Sequence, residues 1–120
     1  MRVRLPLVFA LVGLSLWTAP ASAASWVRWD AETGKVWVCE DVDQARAAQC
    51  ALNRSLGTRT LEAGGCIQQH TAVAISRDHS RVGLGCADAS EGIENAKEHA
   101  MRQCQSTPSG QRFECRVTYP

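Results

Sequence analysis

Beyond Ala23 the sequence has no long apolar run, no run of basic residues, no closely spaced pair of cysteines and no paired-histidine motif. Each absence excludes something. A membrane-crossing helix needs roughly 20 mostly apolar residues, so no membrane insertion is expected after that point. A nucleic-acid partner would want a basic stripe. The chain holds 13 Lys and Arg against 12 Asp and Glu, interspersed, and Arg2 and Arg4 lie at the very start. Zinc motifs bring cysteines in close pairs such as C-x2-C, whereas here His70 beside Cys66 is the nearest approach of a histidine to a cysteine. No metal and no other cofactor is therefore expected. A phosphate-cradling loop is also missing: Gly83 and Gly85 alternate within a strand pattern, where glycine marks close backbone approach.

The start of the chain carries its own signal. Two arginines in Met1-Arg2-Val3-Arg4 precede the uncharged, mostly apolar run Leu5–Ala19. Pro20 follows, and then Ala21-Ser22-Ala23, the small-x-small pattern that a signal peptidase accepts. The run is short for a membrane anchor. Residues 1–23 are thus expected to be a cleaved signal peptide, and residues 24–120 a single domain in the periplasm or outside the cell. No cysteine stands at the new N-terminus, which argues against a lipid anchor there.

A domain of this length is marginal on core burial alone. All six cysteines, Cys39, Cys50, Cys66, Cys86, Cys104 and Cys115, lie after Ala23. An even number in a small exported domain reads as a disulfide framework with no free thiol.

Periodicity supplies the elements. Trp26–Trp29 and Lys35–Cys39 read as a hairpin around the turn Asp30–Gly34. A helix follows, with Asp41 as N-cap and Gln44 as its reciprocal partner. Its expected apolar stripe is Val42, Ala45, Gln49, Leu52 and Leu56. Gly57–Gly65 reads as a loop, and Cys66–Gln69 as the next strand. The pattern then begins again. Ala72–Ser76 and Arg81–Cys86 are strands around the turn Arg77–Ser80. Asp88, with Glu91, caps a second helix whose apolar face is Ile93, Ala96, Ala100, Met101 and Cys104. In the last strand, Phe113, Cys115, Val117 and Tyr119 alternate with Arg112, Glu114, Arg116 and Thr118.

The chain thus reads as ββαβ twice, an α+β fold of antiparallel sheet and two helices. The repeats run from about 24–70 and 71–120, related by pseudo-two-fold symmetry, and the matching cysteines favour an internal duplication. Helix-to-strand proximity favours Cys50–Cys66 and Cys104–Cys115, with Cys39–Cys86 tying the halves, among the several pairings that six cysteines allow.

This pattern resembles an exported bacterial family called domain of unknown function 4189. The resemblance is carried best by Thr71–Ile75, Val82-Gly83-Leu84-Gly85, Ala96–Cys104 and Cys115-Arg116-Val117. It is looser in the first half, through Ala45–Ala48 and Cys50. The longer loop before Cys66, the displaced helical cysteine and the pair Cys39 and Cys86 depart from it. The resemblance implies an exported, duplicated, disulfide-bonded fold and brings no catalytic residues.

Candidate chemistry is sparse. Asp78-His79-Ser80 has the residue types of a hydrolase triad, but neighbours in a tight turn point in different directions, whereas a triad is a relay assembled in space. His70 and His99 stand alone. Glu40, paired with Glu91 or Asp88, could supply two carboxylates, yet carboxylates at helix starts already have a role in meeting the helix dipole. Trp26, Trp29 and Trp37 all lie on the first hairpin. Trp26 and Trp29 differ in parity along a strand, so they face opposite sides. They either complete the core, one of them covering Gly83 and Gly85, or present a contact surface, since tryptophan is enriched at binding hot spots. The expected function is a non-catalytic module that binds another protein through Trp26, Trp29 and Trp37, possible roles being an inhibitor or immunity-type partner of a cell-envelope enzyme. The alternatives are a small envelope hydrolase and a structural envelope protein.

Overall fold

A computed structural model describes residues 23–57 and 59–120. The signal-peptide reading falls, apart from Ala23, outside the described residues. The elements are β1 (Ala24–Asp30), β2 (Val36–Asp41), α1 (Gln44–Arg54), β3 (Thr60–Gly64), β4 (His70–Ser76), β5 (Val82–Ala87), α2 (Ile93–Gln105) and β6 (Cys115–Tyr119). They form an α+β fold: two antiparallel three-stranded sheets, ordered β2-β1-β3 and β5-β4-β6, with two helices and three disulfides. Among the described residues no helix is long and apolar enough to cross a membrane.

The two hairpins share one register. Ala24 pairs with Asp41 as His70 pairs with Ala87, and the correspondence continues to Trp29–Val36 and Ile75–Val82. Even the irregularities match, with a register shift between Val27 and Arg28 against β3 and between Val73 and Ala74 against β6.

Strand alternation sorts the side chains into layers. In β4 and β5, Ala72, Ala74, Gly83 and Gly85 lie under α2. There Ala72, Ala74, Ala87, Ala96, Ala100 and Cys104 form a buried cluster, flanked by Ile93, Met101 and Cys115. This is the apolar face the periodicity predicts. The helix lies almost on the strand: a Cβ on Gly83 would fall 2.0 Å from the Ala100 carbonyl oxygen, and one on Gly85 1.9 Å from that of Ala96. Helix α2, and not a tryptophan, therefore covers these glycines.

The opposite faces meet each other. Val27, Val73 and Ile75 are almost completely buried. The Ser25 and Thr71 hydroxyls join across the gap at 2.7 Å, and the Cys66–Cys86 bridge links the halves. The order of layers is α1, first sheet, second sheet, α2.

Helix α1 departs from its expected orientation. Its buried residues are Ala47 and Ala51. Val42 and Leu56 fall outside the helix, before its cap and after its end, and are 79% and 69% exposed; within it Leu52 is 40% exposed, and Ala45 and Gln49 are exposed as well. The Cys39–Cys50 bridge pulls the Cys50 side of the helix toward β2. Arg28 anchors its far end, with Nε donating to Ser55 Oγ and to Thr60 Oγ1 at 3.1 Å and Nη1 reaching Glu62 at 3.0 Å. Tethering at Cys50 and at the C-cap Ser55, with small residues inward, overrides the apolar periodicity.

Both caps shift. Asp43, not Asp41, caps α1 by accepting from Ala45 N, and Asp41 instead accepts from Val42 N. The reciprocal Asp88–Glu91 bonds do form, but they close a turn ahead of α2. Gly92, at φ +87°, then redirects the chain before Ile93 starts the helix.

The segment read as a loop, Gly57–Gly65, contains β3. Cys66–Gln69 is not a strand: it makes one bridge, Ile67 to Ala24, and Gln68 adopts φ 53°. Two of the three expected disulfides are also corrected. The bridges are Cys39–Cys50, Cys66–Cys86 and, as expected, Cys104–Cys115. Cys39 and Cys86 are not equivalent positions. By register, Cys39 corresponds to Gly85, while Cys86 corresponds to Glu40. One step along a strand reverses the face, so Cys39 points at α1 and Cys86 points between the sheets.

Candidate functional site

The hairpin tryptophans divide between two layers. Trp29 is 6% exposed on the inter-sheet side. Trp26 and Trp37 share the α1 side of β1 and β2 and are half-buried, and the Lys35 ammonium sits 5.3 Å from the Trp37 ring centre. Opposite facing of Trp26 and Trp29 is as strand parity requires. None of the three is fully exposed, so Trp29 offers almost nothing to a partner and only Trp26 and Trp37 retain accessible surface.

The Asp78-His79-Ser80 turn is held together by other bonds than those of a relay. Asp78 Oδ1 accepts from the Ser80 hydroxyl at 2.7 Å, from Ser80 N at 3.0 Å and from the Ser76 hydroxyl at 2.8 Å. The Ser80 side chain, its backbone amide and Ser76 together lower the Asp78 pKa to about 2. His79, at φ 64°, turns away from both neighbours, and its Nδ1 lies 3.1 Å from the Glu32 carbonyl. Its ring fills the space that a side chain at Gly34 would need. Asp78-His79-Ser80 therefore acts as a clasp between the two hairpin turns.

His70 and His99 are both exposed, and among the described residues no cluster of three metal-ligating side chains exists. Asp88 is engaged by the Ser90 hydroxyl first and the Glu91 amide second, which lowers its pKa.

A concave site at one end of the fold draws on both halves. A cavity of about 180 Å³ opens at the end of the fold where β2, the Gln68–Gln69 connector, β4 and the end of β6 converge. Glu40, Gln68, Gln69 and His70 supply its polar wall, while Ala89, Ile93 and Pro120 supply apolar surface. The register shift in β6 makes this possible. Cys115 and Val117 face α2, but Tyr119 pairs with Val73 and so turns to the other side. A bulge commonly re-aims a side chain in this way. Strict alternation would place Tyr119 with Cys115 and Val117; the extra residue, Thr118, reverses it. The Tyr119 hydroxyl then donates to the Glu40 carboxylate. Burial, reinforced by that carboxylate, raises the Tyr119 pKa to about 12. Sequence reasoning singled out Glu40 and His70 separately. Their meeting with Tyr119 depends on the bulge, for which alternating polarity carries no signal.

No protein-family model, curated protein or solved structure matches the chain.

Proposed function

We propose that the chain is a small exported, non-catalytic module that binds another protein, and that it belongs with the family called domain of unknown function 4189. The observation that carries the binding reading is apolar surface exposed on α1 and just beyond its two ends. Leu52 on α1, Val42 just before its N-cap and Leu56 just after its C-cap face solvent, whereas the apolar face of α2 packs against the second sheet. Large apolar side chains left in solvent in this way support an interaction surface. An inhibitor or immunity-type partner of an envelope enzyme fits a scaffold cross-linked by three bridges. Trp26 and Trp37 contribute secondary contact area under this reading.

The test compares capture from an envelope extract by the exported protein and by its Leu52→Ser/Leu56→Ser variant. Both substitutions lie at exposed positions, so the melting temperature should hold. A partner retained by the parent and lost by the variant supports the reading. A partner held equally by both, or lost only in variants that unfold, refutes the assigned surface. A second reading, a small envelope hydrolase, draws on Glu40 and His70 lining one cavity. A hydrolytic activity abolished by Glu40→Gln in a folded protein would put it first.

A further inference from the structure

The cavity beside Glu40 is partly filled by the chain itself. Ala23 is among its lining residues, and the Ala23 carbonyl accepts a hydrogen bond from Gln68 N at 3.1 Å. Ala23 also closes the motif Ala21-Ser22-Ala23, and β1 begins at the next residue, Ala24, which is 3% exposed. The bond whose hydrolysis would release the leader therefore lies at the margin of the cavity.

Hydrolysis there breaks the Ala23–Ala24 C–N bond and consumes one water. The water oxygen joins the Ala23 carbonyl carbon to give a carboxylate, and the water protons and the amide proton leave Ala24 with an ammonium. Ala23 departs with the leader. The Gln68 N–H loses its acceptor, and a positive group now stands at the same margin.

We propose that removal of the leader converts this cavity into a site for the C-terminal carboxylate of a peptide ending in a small residue, with the Gln68 N–H and the Ala24 ammonium as donors. The assignment rests on cleavage after Ala23 and is independent of the binding surface on α1. Ala23 is the template for the occupant: an alanine whose carbonyl is held by Gln68. Capture of a terminal carboxylate by backbone donors is a recurring recognition mode. The left-handed conformation of Gln68, at φ 53°, fixes the direction of its N–H. Ala89, Ile93 and Pro120 offer apolar wall for the methyl group of a small terminal residue. Glu40 opposes an incoming anion. Its carboxylate already accepts from the Tyr119 hydroxyl, and the Ala24 ammonium offsets its charge.

The full chain is produced with its leader and recovered after export, and its N-terminus is read by mass spectrometry. The tripeptide Ala-Ser-Ala is then titrated as free acid and as amide, with the backbone amide signals followed by NMR. The expected results are an N-terminus at Ala24, a saturable shift at Gln68 with the acid, and binding of the amide weaker by about tenfold, since charged acceptors make the stronger hydrogen bonds. The Leu52→Ser/Leu56→Ser variant should bind the tripeptide unchanged, which separates this site from the α1 surface. A recovered chain still carrying Ala23, no saturable shift at Gln68, or equal binding of acid and amide overturns the proposal. Equal binding of acetate overturns the peptide assignment, and equal binding of Ala-Ser-Trp acid overturns the preference for a small end.

Discussion

The two hairpins share a register but not a way of carrying a helix. Beneath α2 the four helix-facing positions are Ala72, Ala74, Gly83 and Gly85; beneath α1 the corresponding four are Trp26, Arg28, Trp37 and Cys39. In the second half the helix backbone rests on the strand, and nothing but hydrogen fits between them. In the first half bulky side chains lie under the helix, and a disulfide and the Arg28 bonds to Ser55 and Thr60 tie it down. One backbone plan is therefore compatible with two packing solutions. The difference leaves Leu52 on the outer face of α1 exposed.

Substitutions can break this comparison in order of effect. Trp29→Ala empties a buried inter-sheet position and should cost about 3–5 kcal/mol of folding stability, read from denaturant unfolding. Trp37→Ala, at a half-buried position, should cost clearly less; an equal loss would mean that the first half depends on its α1-side layer as much as on its inter-sheet layer. Removing the inter-half bridge by Cys66→Ala/Cys86→Ala should cost about 3 kcal/mol on the chain-entropy account. Calorimetry should show whether the two halves then melt separately; a single unchanged transition would mean that the sheets hold each other without it.

Gly85→Ala tests close packing directly. Overpacking of this kind costs about 1–3 kcal/mol or more, because the Ala96 carbonyl cannot move without its helix. The same methyl at Gly57, which faces open space, meets no neighbour and is opposed only by its φ of +82°. Gly85→Ala should therefore lower Tm further than Gly57→Ala. The reverse order would refute the direct helix-on-strand contact.

The smallest effect concerns the clasp. The Asp78 pKa is depressed to about 2 from an ordinary 3.8. Its contribution is present above the ordinary value and is lost as pH falls through about 2. Asp78→Asn should flatten that part of the acid limb of a Tm-versus-pH profile, with little change near neutrality. An unaltered acid limb would mean that the clasp does not couple to folding.

The second half was the more legible because its apolar periodicity and its packing agree. Ile93, Ala96, Ala100, Met101 and Cys104 are apolar at helical spacing, and they are also the residues that touch the sheet. In the first half the two disagree. Val42, Leu52 and Leu56 mimic a core stripe, while the residues that pack are Ala47 and Ala51, too small to stand out. Strand β3 escaped notice because Thr60-Leu61-Glu62-Ala63-Gly64 has no buried-face alternation, being an edge strand of the first sheet. The cysteine pairing failed on a single residue of register between Cys39 and Cys86. The cavity at Glu40 was hidden for a related reason: a bulge residue shifts parity without changing composition.

The Cys66–Cys86 bridge has a consequence for resistance to proteolysis. The connector Ile67–His70 is exposed along its whole length, the kind of segment where proteases cut. A cut there would fall between a cysteine upstream and its partner downstream. Both fragments would remain one covalent molecule, and the interleaved hydroxyls of Ser25 and Thr71 would keep them in place. The protein can thus be nicked at this exposed joint and still not come apart until a reductant arrives.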